Sequence, residues 1–112
     1  MSDRLPSGTI VSALIRRVHD SGGFAAVLAR GDAQGGAILL VCRDRDGATK
    51  LIERGLGPGG KPMLIAAGPA NPDAATLDSY LERRRRTDPD LWVIELDTPL
   101  SERFAAETMG VD

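Results

Sequence analysis

One cysteine, Cys42, stands among 112 residues, so no internal disulfide can form. The single histidine, His19, has no recognisable nucleophile beside it for general-base chemistry. Its place at the end of a helix, just before Gly22-Gly23, is explained by the favourable position of a cation there. No apolar stretch approaches the roughly 20 residues that span a bilayer. No basic start leads into an apolar run, so no signal peptide is expected, and nothing repeats with a period of roughly 20–50 residues. Neither sign of charge dominates: 14 basic and 16 acidic residues leave a net charge of −2 and a pI near 5.4. That balance argues against a general nucleic-acid coat and against a basic membrane-surface protein. A cytoplasmic protein without a cofactor is the expectation.

What is present suits one ordinary globular domain, residues 1–112, with loosely ordered tails at about 1–6 and 110–112. At this length about 65% of the unfolded surface can be buried, so no disulfide or metal staple is needed.

The segment from Gly36 to Glu53, GAILLVCRDRDGATKLIE, organises the rest. Ala37 to Cys42 is apolar at every position. Strand side chains alternate between faces, so this run has to be covered on both sides. Asp46-Gly47 supplies a turn into a second strand, Thr49 to Glu53. A two-residue loop would set Arg43 opposite Lys50, a like-charge pair costing about 0.2–1 kcal/mol. A three-residue loop with Gly47 left-handed sets Leu40 opposite Ile52 and Val41 opposite Leu51, and is preferred.

Upstream, Ser7 or Thr9 can cap a helix running to about Asp20, with Ile10, Val11, Leu14, Ile15 and Val18 on one face. Gly22-Gly23 ends it. Phe24 to Ala29 is short and apolar on both faces. It is expected to be a strand joined to the central one by the polar turn Arg30 to Gly35, making a three-strand meander.

Downstream, Gly55 to Pro62 is a loop and Met63 to Ala66 a candidate fourth strand. Asn71 as cap, Pro72 at the first position and Asp73 in the first turn open a second helix, ending near Arg86, with Leu77, Tyr80 and Leu81 as its packing stripe. Leu91 to Leu96 is a strand with Trp92, Ile94 and Leu96 on one face and Leu91, Val93 and Glu95 on the other. It is reached by a helical crossover, so it can lie parallel to a neighbour. Leu100 to Met109 suggests a short helix. The fold expected is α+β: a small, mostly antiparallel sheet flanked by two main helices and a short C-terminal one. Either two helices cover the central strand from opposite sides, or a second copy covers one face in a symmetric dimer.

Two segments, GGFAAVLARGDAQGGAILLV (Gly22 to Val41) and YLERRRRTDPDLWVIEL (Tyr80 to Leu96), resemble a family of short alphaproteobacterial proteins catalogued as domain of unknown function 1491. The likeness spans roughly Leu5 to Asp97. Its most specific part is the arginine run followed by Asp88-Pro89-Asp90-Leu91-Trp92. The resemblance implies a small cytoplasmic bacterial protein and carries no activity over to any residue.

Three chemistries can be weighed. Arg83 to Arg86 is the sharpest charge feature, but consecutive helical residues lie 100° apart, so four arginines point around the helix. An anion or nucleic-acid site needs Arg83, Arg84 or Arg86 to meet Arg43, Arg45 or Arg54 in space. Asp88, Asp90 and Glu95 could serve a metal-dependent hydrolase. A nuclease pattern of that kind fails at Asp97, where a lysine is required. Gly55, Gly57 and Gly60 match G-x-G-x-x-G but lack the helix start that binds phosphate. With no set of nucleophile, base and oxyanion donors, the leading expectation is a non-enzymatic module acting through a protein interface. It is expected to be a self-associating homodimer using one sheet face with Trp92, Phe104 and Leu100. A weak nucleic-acid or phosphoanion binder and a hydrolase are the alternatives.

Overall fold

The computed structural model describes residues 5–111. Positions 1–4 and 112 of the expected tails lie outside the described residues. The elements in order are α1 (Ser7–Asp20), β1 (Phe24–Ala29), β2 (Ile38–Arg43), β3 (Thr49–Leu56), a 3-10 turn (Pro58–Gly60), β4 (Pro62–Ala66), α2 (Ala74–Thr87), β5 (Trp92–Asp97) and α3 (Ser101–Met109). The fold is α+β, with a five-stranded mixed sheet in the order β1-β5-β2-β3-β4. Only the β2–β5 pair is parallel.

The central hairpin has the three-residue register: Leu40 faces Ile52 and Val41 faces Leu51. Gly47 takes φ 81°, open to glycine without strain. Asp44 closes the turn, its Oδ1 accepting from the N–H groups of Asp46 and Ala48 at 2.9 and 3.0 Å.

Both faces of β2 are covered by this chain's own helices. Leu40 and Cys42 join Ile10, Val11, Leu14 and Val18 of α1 and Phe104, Ala105 and Met109 of α3. Leu39 and Val41 join Leu77, Tyr80 and Leu81 of α2. Leu39, Leu40 and Val41 are fully buried, each contributing about 1.5–3 kcal/mol. The second-copy alternative for covering the sheet is therefore not the one realised.

The expected pairing of β1 with β2 is overturned. Strand β5 lies between them, antiparallel to β1 and parallel to β2. The segment from Arg30 to Ala37 is not a hairpin turn. It crosses the start of β5, the Asp32 N–H bonding Asp90 O at 3.0 Å and the Trp92 N–H bonding Ala37 O at 2.8 Å. The sequence misleads here because two adjacent apolar segments with a polar turn look the same whether they pair or leave a slot. Strand β4 does form, and β3 extends to Leu56, so the expected glycine loop shrinks to Gly57–Lys61.

Two helix starts differ from expectation. Pro6 holds the cap position of α1, and no side chain caps it. The N–H groups of Ser7 and Gly8 instead bond Gln34 O and Ala33 O, at 3.2 and 2.9 Å, on the crossing segment. At α2 the cap is Asp73, whose side chain accepts from the Thr76 N–H at 2.8 Å. That N–H lowers the Asp73 pKa. Asn71, expected as the cap, takes φ 41° and accepts from the Thr49 N–H at 2.9 Å, tying the loop to β3.

The crossing segment runs so close to β5 that a Cβ on Gly31 or Gly36 would overlap the Asp90 carbonyl oxygen. Gly35, with nothing nearer than 3.9 Å, has room. Gly36→Ala is therefore expected to lower the unfolding free energy by about 2 kcal/mol or more in urea titration, and Gly35→Ala by less than about 0.5 kcal/mol.

Candidate functional site

The four arginines of α2 diverge and are largely committed. Arg84 makes a two-pronged bond to Glu53 on β3, at 3.2 and 2.8 Å, and donates to the Tyr80 hydroxyl at 2.7 Å. The hydrogen bond to Glu53 is the main cause of its raised pKa. Arg85 donates to Arg30 O and Pro89 O, holding the helix end to the crossing segment. Arg86 pairs with Glu82 one turn back at 3.0 Å, and Arg83 lies 5.9 Å from the Tyr80 ring centre.

Arg43 and Arg45 do not join them. Arg43 bonds Glu95 at 3.3 Å and Thr49 at 2.6 Å at the carboxyl end of β2. Glu53, the anchor of Arg84, faces Leu39 at the other end, about 13 Å away along the strand. Arg45 stands exposed in the hairpin turn, and Arg54 lies on the opposite sheet face, donating to Met109 O at 3.4 Å. The basic patch that the anion-binding alternative needs does not assemble from these arginines.

The acids that the hydrolase alternative needs are separated in the same way. Asp88 accepts from the Asp90 N–H before β5. Glu95 sits five residues further along, paired with Arg43. Among the described residues no three side chains of His, Cys, Asp or Glu gather to hold an ion.

Two clefts flank the central strand at its ends. One, of about 300 Å³, lies where α1 begins, between Ser7, Ile38, Arg54 and Leu56. The other, of about 490 Å³, lies at the carboxyl ends of β2 and β5 against the start of α3. Its charges are met internally: Lys50 pairs with Glu102 at 2.6 Å, which raises the lysine pKa, and Arg43 with Glu95. Cys42 in its floor is pushed up to about 11, chiefly by burial, so it stands as an inert thiol near neutrality.

The interface residues expected from sequence separate into two kinds. Trp92 is 3% exposed and Phe104 8%, which corrects their assignment to a surface. Trp92 is interior because β5 is a central strand, and its Nε1 donates to Asp32 O at 2.8 Å. Phe104 seals the α1–α3 seam beneath the Arg17 guanidinium, 5.0 Å from the ring centre, and Arg17 also pairs with Glu107. Leu100 alone of the three is exposed, because it precedes α3 rather than lying on its inner face.

The open apolar surface lies instead on β1, at the edge of the sheet. Phe24, Val27 and Leu28 are 54%, 44% and 47% exposed. The strand FAAVLA carries no charge and no proline, and its irregularity falls between Val27 and Ala29. The other edge, β4, opens on Pro62 and follows Lys61, two residue types that discourage pairing. His19 reaches over β1: its Nε2 lies 3.3 Å from Ala25 N and 3.2 Å from Ala25 O. It accepts from the amide or donates to the carbonyl according to the tautomer. An uncharged run of alanines between larger apolar residues was the only sequence signal for this edge, and it reads equally as a buried strand.

A family model described as "Protein of unknown function (DUF1491)" matches residues 5–106. A crystal structure of a DUF1491 family protein from Caulobacter crescentus is similar at 35% identity and TM-score 0.77, over 89% of this chain and 94% of that one. A solution structure of an A. tumefaciens protein is similar at 38% identity and TM-score 0.70, over 85% and 86% of the two chains. An NMR structure of a C. crescentus DUF1491 family protein is similar at 34% identity and TM-score 0.75, over 92% and 94%. No curated protein matches.

Three outcomes follow from these contacts. Arg84→Ala leaves Glu53 half-buried and unpaired, and a loss of about 1–3 kcal/mol is expected in denaturant unfolding. Arg86→Ala, with both partners exposed, should change stability by less than about 0.5 kcal/mol. Cys42 holds its proton in the folded state to about 11, against an ordinary value of 9.0. The folded state therefore binds more protons than the unfolded one between those values. Stability attributable to the thiol is complete below pH 9 and falls as pH rises toward 11. Cys42→Ser should flatten that part of the curve in pH-dependent melts.

Proposed function

This chain belongs to the DUF1491 family, a family of unknown function, and we propose that it is a non-enzymatic interaction module that receives an extended strand on the edge of β1. The observation that carries this reading is the exposure of Phe24, Val27 and Leu28 on a strand without charge or proline. Soluble proteins ordinarily guard such edges with lysine, proline or a covering loop. Strand addition uses the open main-chain groups for affinity and the exposed side chains for fit. The internal pairing of Arg43, Lys50 and Arg84 weighs against the phosphoanion reading. The separation of Asp90 from Glu95 weighs against the hydrolase. Among the described residues no helix is long and apolar enough to cross a membrane. We take the compartment to be the cytoplasm, a reading supported by one buried, unpaired cysteine.

Titration of the isotope-labelled protein with an uncharged six-residue peptide of alternating valine and threonine, to about 1 mM, tests this. Backbone shifts should concentrate at residues 24–29 and at His19, and Val27→Lys should abolish them. Unmoved β1 amides throughout the titration would sink the reading.

A further inference from the structure

We infer that the strand β1 receives is β1 of a second copy, antiparallel to the first, with a two-fold axis passing by Ala26. This rests on the reading of β1 as an open edge.

Main-chain geometry limits the registers. The amide and carbonyl of Ala25 both meet His19, so they point away from β5. Antiparallel pairing alternates inward and outward residues, so Val27 also points outward. A partner strand must therefore bond at Ala25 and Val27, and a one-residue slip would set outward groups against inward ones. When Ala25 of one copy faces Val27 of the other, Ala26 faces itself and Phe24 comes against Leu28 of the other at its irregularity. All three exposed side chains of the strand then find apolar partners. Setting Val27 on the axis would place Phe24 opposite Arg30. Setting Ala25 there would leave Leu28 opposite Gly22.

Charge supports the same register. β1 has no charge to repel its copy. Just beyond it, Arg30 of one copy comes toward the Ser21–Gly22 turn of the other. There α1 ends, with Asp20 exposed and the carbonyl end of the helix partly negative. The contact occurs twice by symmetry. Pairing through one six-residue strand buries less than the roughly 1,200 Å² of a standard stable interface, which fits a transient dimer with a dissociation constant of roughly tens to hundreds of μM.

His19 Nε2 sits against the amide and carbonyl of Ala25 and binds one of them in either tautomer, and both symmetric halves of this ladder require those groups. It is an autoinhibitory contact, and a side-chain rotation at the last turn of α1 removes it.

Sedimentation equilibrium of the full chain from about 10 μM to 1 mM is the test. A monomer–dimer equilibrium that stops at two is expected. His19→Ala should tighten it about tenfold. Arg30→Glu and Asp20→Arg should each weaken it severalfold, and the double exchange should restore it. Those positions are exposed, so the variants are expected to fold, which circular dichroism checks. A dimer indifferent to all three changes, open-ended association, or a monomer at about 1 mM even for His19→Ala would overturn the inference. If the valine–threonine peptide still shifts β1 in that last case, strand addition stands and only the self-pairing falls. If it does not, both fall.

Discussion

A strand that is greasy on both sides must be roofed and floored, and β2 imposes that requirement on everything else. Leu40 and Cys42 look toward α1 and α3, and Leu39 and Val41 look toward α2. The same requirement passes to its parallel neighbour β5, where Ile94 and Leu96 share one roof and Val93, with Leu91 just before the strand, shares the other. α1 also reaches β1 and buries Ala25, but Phe24, Val27 and Leu28 on the outermost strand stay open.

Polar groups adjust to this plan rather than directing it. Trp92 is buried by its place in a central strand, and the crossing segment supplies a carbonyl for its indole N–H. The first N–H groups of α1 find carbonyls on that same segment, so one loop satisfies a ring, a helix start and a strand start. Arg84 and Glu53 join α2 to β3, and Arg43 and Glu95 join β2 to β5. These ion pairs fasten neighbouring elements and leave no concentrated field at the surface for a ligand to find.

Much of the architecture was legible because local rules decide it. The apolar run from Ala37 to Cys42, the Asp46-Gly47 turn and the alternation of Trp92, Ile94 and Leu96 each specify an element from a few residues. Strand order was not legible. Nothing local to Phe24–Ala29 or Arg30–Gly35 reveals that residues 92–97 will come between two consecutive strands. Residues apolar on both faces suit an interior strand and an edge strand equally, and β1 lies at the edge with Phe24, Val27 and Leu28 open. Trp92 and Phe104, both buried, show the complementary limit: large apolar residues reveal a need for cover and not who provides it. The four arginines of α2 take different partners around the helix, as the 100° step of the backbone requires.

The slot between β1 and β2 bears on how the chain is made. During synthesis the meander β2-β3-β4 can close as soon as it emerges, since its pairings join consecutive segments. β1 leaves the ribosome earlier yet has no neighbour until Trp92–Asp97 arrives, some sixty residues later. For that interval it is a lone, uncharged ribbon with two open sides. The nascent protein therefore passes through its most adhesive stage before its last strand is translated.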